Sequence, residues 1–154
     1  MGRKVKEIRI RQGRLSDRPA LVRLLASQRM ATDVDPAEFV VAEEKGRLLG
    51  AARLEWVGTD DAYLRPIAVT KEAQRTGLGS ALLEKLCARC SSISVIARGD
   101  AVPFYKRSGF TATDWSAVRE EYRDECESCD DLAQCQPVPM RRTLEHEGLS
   151  DVFT

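Results

Sequence analysis

A strand that runs straight into a glycine-bearing turn and then a helix constrains this chain more than any other segment. Leu64-Arg65-Pro66-Ile67-Ala68-Val69 reads as the strand, Gln74-Arg75-Thr76-Gly77-Leu78-Gly79 as the turn, and the residues from Ser80 to Leu86 as the helix. The first turn of a helix leaves N–H groups without intrahelical acceptors, and they point with the positive end of the helix dipole. Such a place suits an anion, a pyrophosphate in particular. Gly77 and Gly79 carry no Cβ, so the main chain there can come close to a ligand. The spacing excludes two common nucleotide loops. There is no Gly-x-x-x-x-Gly-Lys-Ser/Thr, and Leu82 stands where Gly-x-Gly-x-x-Gly would need its third glycine. A bare Gly-x-Gly is equally the mark of a flexible turn before a helix.

Periodicity places the remaining elements. Residues 7–11 alternate as a first strand. Ser16 or Asp17 caps a helix with Pro19 in its first turn, and Ala20, Leu21, Leu24 and Leu25 form its buried stripe. Residues 30–36 are irregular. Residues 39–43 and 47–57 form a hairpin around Glu44-Lys45-Gly46, and a second turn at 58–61 leads into a fourth strand over 62–69. After the main helix come a fifth strand at 94–97, a short helix capped by Asp100 and running through Arg107, a sixth strand over 110–116 and a last strand over 137–144. This order predicts an α/β or α+β three-layer fold. We expect one domain over residues 1–154, with a core of about 7–145 and a flexible tail at 146–154.

The chain has 24 basic and 24 acidic side chains, so nothing in its overall charge favours nucleic acid or an anionic membrane. Residues 1–14 are basic, and residues 120–131 are acidic, with Glu120, Glu121, Asp124, Glu125, Glu127, Asp130 and Asp131 against Arg123. Both runs read as solvated surface. No apolar stretch is long enough to cross a bilayer, and the basic start lacks the apolar core of a signal peptide. The expected location is cytoplasmic. Five cysteines, an odd number, fit reduced thiols or a metal better than a disulfide framework.

Two motifs carry a family resemblance. Gln74-Arg75-Thr76-Gly77-Leu78-Gly79 fits Gln/Arg-x-x-Gly-x-Gly/Ala, and Ala101 to Phe110 fits a later Ala-x-x-Phe-Tyr-x-x-x-Gly-Phe. In that order and separation they resemble the GNAT superfamily of acyl-CoA N-acyltransferases, over about residues 8–144. The resemblance implies a central, mixed, mostly antiparallel seven-stranded sheet flanked by about four helices. It implies acetyl-CoA as cosubstrate, with Gln74, Arg75, Thr76, Gly77, Leu78, Gly79 and Ser80 at its pyrophosphate. Main-chain groups of Ile67, Ala68 and Val69 would line the pantetheine, where strand four of relatives splays from strand five, and Phe104 would add to the cofactor contacts. No metal is required. The implied partner is a small-molecule amine acceptor, with no nucleic acid and no membrane; a homodimer is compatible with it.

Acetyl transfer to an amine needs a group that accepts the amine proton, a donor to the thioester oxygen and a donor to the leaving thiolate. Tyr105 stands at the family's general-acid position, although its other reading is a core aromatic beside Phe104. Relatives often carry an acid near Tyr63 and this chain has none there. Glu55 is the candidate base, with a water relay as the alternative. Arg98 replaces an asparagine of many relatives. Cys126-x-x-Cys129-x-x-x-x-x-Cys135, followed by Val138-Pro139-Met140, resembles short N-acetylglutamate synthase-like members, as do residues 39–43 and 64–69. Glutamate as acceptor would need cations for its carboxylates, and Arg65 and Arg98, with Arg53, could supply them. The acidic run points instead to a cationic amine or a protein lysine. A CoA-binding module with a redox- or metal-sensing cysteine loop is a further alternative. The three cysteines are expected as thiols, with metal ligation as the other reading.

Overall fold

Gly50 and Ala51 are neighbours in one central strand, and a different helix packs on each. The structure is a computed structural model and describes residues 8–143. Its elements are β1 (Arg9–Gln12), α1 (Arg18–Ser27), β2 (Phe39–Glu44), β3 (Arg47–Trp56), β4 (Asp61–Val69), α2 (Leu78–Cys87), β5 (Ser92–Ala97), α3 (Val102–Arg107), β6 (Thr111–Ala112), α4 (Glu120–Glu127), α5 (Leu132–Cys135) and β7 (Val138–Thr143). The strands hydrogen-bond in the order β1-β2-β3-β4-β5-β7-β6. This is the expected mixed seven-stranded sheet. Five helices accompany it among the described residues, where about four were expected. The β4–β5 pair is parallel and runs from Asp61↔Ser92 to Tyr63↔Ser94. The β1–β2, β2–β3, β5–β7 and β6–β7 pairs are antiparallel.

The described residues divide into two compact units. The first comprises residues 8–56 and 64–89, and the second residues 57–63 and 90–143. In the first, Phe39, Val40, Val41 and Ala42 of β2 are all buried, as a strand covered on both faces requires. Leu21, Leu24 and Leu25 of α1 cluster with Phe39, Val41, Ala51 and Ala68. A Cβ on the neighbouring Gly50 would sit 3.0 Å from Leu82 Cδ1 and 3.5 Å from Leu78 Cδ2 of α2. Successive strand residues point to opposite faces, so α1 and α2 cover opposite sides of β3. Lys45 and Gly46, both at positive φ, make the two-residue hairpin turn between β2 and β3.

The edge of the first unit is pinned by charge. Arg11 donates to both carboxylate oxygens of Asp17 at 2.8 and 2.9 Å, and its Nε donates to Glu43 at 2.6 Å. Asp17 also accepts the Arg14 N–H at 2.9 Å. The Arg11 hydrogen bonds are the main cause that holds the Asp17 carboxyl below its usual range. Gly13 follows directly, and its N–H donates to Phe39 O at 2.8 Å. A Cβ at Gly13 would lie 2.2 Å from Pro36 O, so no other residue fits without a backbone shift.

In the second unit Tyr63 and Tyr122 stack with centroids 4.3 Å apart, among Val118, Val57, Ile96 and Trp115. The Tyr63 hydroxyl accepts the Arg119 N–H at 3.1 Å. Two expectations change here. The acidic run has its carboxylates exposed as expected, but it is helix α4 over much of its length, where no helix was expected, and Tyr122 is the one buried residue of that helix. Glu120 and Glu121 in its first turn suit the helix dipole. The sixth strand, expected over 110–116, is only Thr111–Ala112. Asp114 accepts the Ser116 N–H at 2.8 Å and turns the chain into a 3-10 segment, a local bond that outcompetes the ladder. The expected flexible tail and residues 1–7 of the basic start lie outside the described residues.

Three stability outcomes follow. Gly13→Ala should lower the unfolding free energy by about 1–3 kcal/mol in a urea titration, the cost of overpacking a fixed site. Gly46→Ala, at φ +81 but with nothing within 4 Å of the added Cβ, should cost about 1 kcal/mol. Asp17→Asn should weaken the fold at neutral pH. Because the folded carboxyl is held low, its contribution is present above the ordinary carboxylate range near pH 4 and lost as pH falls through the depressed value. The gap between Asp17→Asn and wild type should therefore close in acid titrations.

Candidate functional site

The turn after β4 is built for an exposed backbone. Gln74, Arg75, Thr76 and Gly77 are all exposed, while the flanking Ala73 and Leu78 are buried and anchor them. Arg75 has φ 66 and Gly77 has φ 89, so the chain twice enters the left-handed region before α2 begins. Gly77 is the N-cap of α2, and no side chain of a described residue caps the helix. The Ala81 N–H bonds Gly77 O at 3.0 Å, which leaves the N–H groups of Leu78, Gly79 and Ser80 ahead of the first intrahelical bond. Gly77 is needed for its conformation rather than for space: a Cβ there meets nothing within 4 Å. That refines the reading from sequence, in which close approach alone explained the glycine.

Gln74 also has a role internal to the fold. Its Nε2 donates to Val69 O at 3.1 Å, and Gln28 Nε2 from the end of α1 donates to the same oxygen at 2.7 Å. The Val69 carbonyl is thus committed within the first unit. Ile67 is half-buried and Ala68 buried. Gln28 has no signal in the sequence; only the fold brings the end of α1 to the end of β4.

Arg53, Glu55 and Arg65 meet in the first unit. Arg53 Nε donates to Arg65 O at 2.8 Å, and its other nitrogens lie 3.3 Å from Glu55 and 3.5 Å from Glu38. Its guanidinium also sits 5.5 Å from the centre of the Phe39 ring. Spacing by two puts Arg53 and Glu55 on one face of β3. Arg53 therefore serves as a clamp among its own neighbours. Its engagement counts against the expectation that it meets an acceptor carboxylate.

Tyr105 belongs to the second unit and is 5% exposed. Phe104 and Phe110 pack against it edge-on, with centroids 5.0 and 5.3 Å away. Burial pushes its phenol above the ordinary tyrosine range. Its hydroxyl has no hydrogen bond to a described residue, so the core reading and a donor role are compatible. Arg98 is exposed at the end of β5, directly before Gly99, whose added Cβ would meet Cys135 O and Gln136 O at 3.1 Å.

Cys126 is in the last turn of α4, Cys129 is exposed between helices and Cys135 ends α5; Cys87 and Cys90 are buried. All are free thiols, and among the described residues no three His, Cys, Asp or Glu side chains form a group that could hold a metal. No helix among them is long and apolar enough to cross a membrane.

Residues 20–124 match the family model described as an acetyltransferase (GNAT) domain. An uncharacterised N-acetyltransferase of Chlorobaculum tepidum is 26% identical over 112 residues, 70% of this chain and 71% of that protein. Among solved structures, the chain is similar to N-acetylglutamate synthase from Neisseria gonorrhoeae, complexed with coenzyme A and N-acetyl-glutamate. The TM-score is 0.72 at 22% identity, over 90% of this chain and 35% of that one. The chain thus spans about a third of the length of that synthase. A Mycobacterium tuberculosis protein in complex with CoA gives a TM-score of 0.70 at 24% identity, over 89% of this chain and 99% of that one. The ribosomal-protein-S18-alanine N-acetyltransferase of Escherichia coli gives 0.67 at 22%, over 92% and 96%.

Gln74→Leu removes one of the two donors to Val69 O on an exposed turn and should cost no more than about 1 kcal/mol by urea titration. Gly77→Ala should cost about 1–2 kcal/mol through its left-handed φ alone. A larger loss in the first variant would mean that Gln74, not the backbone conformation, holds the turn.

Proposed function

The chain belongs to the GNAT acetyltransferases, and from that premise we propose that it moves an acetyl group from acetyl-CoA directly to the amine of a small acceptor, with glutamate the first candidate. The observation that supports it most is the uncapped head of α2 behind an exposed, left-handed turn. Donors that no side chain satisfies, at the positive end of a helix, fit the pyrophosphate of CoA without rearrangement. In this reading Arg75, Thr76, Gly77, Leu78, Gly79 and Ser80 hold it, with Gln74 fixing the turn. Main-chain groups of Ile67 and Ala68, together with the Val69 N–H, follow the pantetheine, and Phe104 packs beside it. The cosubstrate supplies the activated thioester.

The protein's own groups handle the protons. Glu55 takes the proton of the acceptor ammonium, directly or through a water, and Arg53 fixes the direction of its carboxylate. Tyr105 faces the leaving thiolate as a donor. An ordinary thiol has a pKa of about 8.5 and an ordinary tyrosine about 10. Burial moves Tyr105 further up, so full proton transfer to the thiolate is uphill by more than about 2 kcal/mol. Tyr105 then stabilises the thiolate by a hydrogen bond, and water completes the protonation. Arg65 and Arg98 meet the acceptor carboxylates.

A second reading has an observation of its own. The exposed face of α4 carries Glu120, Glu121, Asp124, Glu125 and Glu127, which suits a cationic amine or a basic peptide. An E. coli relative in fold acts, by its name, on a ribosomal protein.

CoA release assayed over single amino acids, polyamines and a lysine-rich peptide separates the two. Glutamate turnover whose KM rises at least about tenfold in Arg65→Ala is the expected result, since a lost charged partner costs about 2 kcal/mol. Turnover of polyamine or peptide alone, indifferent to Arg65→Ala, would discard glutamate and keep the family activity. Tyr105→Phe should lower kcat about 10–100-fold with KM little changed. Because the Tyr105 pKa is raised, wild-type kcat should show no loss from its ionisation as pH rises to about 10. A fall between about pH 8 and 9 that vanishes in Tyr105→Phe would contradict that role.

A further inference from the structure

The first unit carries an open pocket of about 510 Å³ on the side of its sheet that bears α1. Arg23 of α1, Arg47 beside the β2–β3 turn and Lys71 just past β4 line it, and no carboxylate does. Arg47 is paired with Glu72, which stands outside the lining. The side chains of Arg23 and Lys71 make no ion pair or hydrogen bond among the described residues. Thr70 also lines the pocket, and its Oγ1 is buried without a hydrogen-bond partner. Buried hydroxyls are nearly always satisfied, so an unsatisfied one in the same lining as Arg23 and Lys71 is a second and independent sign of a ligand. Leu24 and Leu48 supply an apolar wall.

Like charges around one rim repel, and an oxyanion relieves that repulsion. Two guanidinium forks match a carboxylate or phosphate in shape, and the lysine adds a point charge. The volume lies within the range of small-molecule sites. The pocket is distinct from the turn before α2. None of residues 74–80 lines it, although Thr70 and Lys71 stand earlier on the same connection between β4 and α2.

We propose that this pocket is a second anion site, which takes a small molecule bearing a carboxylate or phosphate on a short apolar body, separate from the acyl-CoA turn. Only that separation rests on the acetyl-CoA reading. The test is a titration of the full chain with inorganic phosphate and with citrate, followed through backbone amide NMR shifts. The expected result is saturable shifts at Ser27, Gly46 and Thr70, weakened about tenfold in the double variant Arg23→Ala/Lys71→Ala. Both changes are at exposed positions, and the unshifted remainder of the spectrum reports that the fold is kept. The same titration in saturating CoA should give the same shifts. Shifts confined to Leu78, Gly79 and Ser80, or an unchanged curve in the double variant, would overturn the proposal. So would shifts abolished by CoA but not by dephospho-CoA, which would give the pocket to the cofactor's 3′-phosphate. If the protein bound no CoA, the acetyl-CoA reading would fall, and the phosphate and citrate titrations alone would still decide for or against the pocket.

Discussion

The close approach of α2 to β3 at Gly50 is the constraint on which the first unit depends. Any side chain there would meet Leu82 at 3.0 Å and the Ala68 carbonyl at 3.2 Å. Overpacking of that kind costs about 1–3 kcal/mol, because a backbone oxygen and a packed leucine have nowhere to go. With α2 seated by Leu78, Leu82, Leu83 and Leu86, its head is held at the end of β4. The turn between them has no freedom to wander, and its left-handed residues present the backbone outward. Position comes from apolar packing, and chemistry comes from groups that packing leaves over.

Burial sets the chemistry of the aromatic residues as well. Tyr63 and Tyr105 are both buried in the second unit, but their hydroxyls differ. Tyr63 accepts a backbone N–H and stacks on Tyr122, which fixes it as part of the core. Tyr105 is walled by two phenylalanines, and no hydrogen bond to a described residue commits its hydroxyl. A buried hydroxyl with donor capacity to spare is the one suited to meet a charge that forms during reaction.

Much of this was legible from residue patterns. The strand, turn and main helix around Gln74–Gly79 were, because a glycine pair before a leucine repeat has few other solutions. The hairpin at Lys45-Gly46 was legible for the same reason. The sixth strand was read too long at its end, over residues 113–116, because Asp114 bonds locally, which no periodicity reveals. The helix in the acidic run was missed because one aromatic anchor, Tyr122, carries it with no apolar stripe. Gly13, Gln28 and the clamp role of Arg53 were invisible. Each depends on a partner far along the chain: Pro36 for Gly13, Val69 for Gln28, and Arg65 with Phe39 for Arg53.

The account stands or falls on whether the turn before α2 holds a CoA pyrophosphate. Isothermal titration calorimetry of the chain with acetyl-CoA tests this directly. The account predicts one site per chain with a dissociation constant of tens of micromolar or tighter, a binding free energy beyond about −6 kcal/mol. It also predicts that a carboxylate introduced by Gln74→Glu weakens that binding at least about tenfold, through repulsion at the phosphates. Absence of binding at hundreds of micromolar acetyl-CoA, in protein shown to be folded, would contradict it.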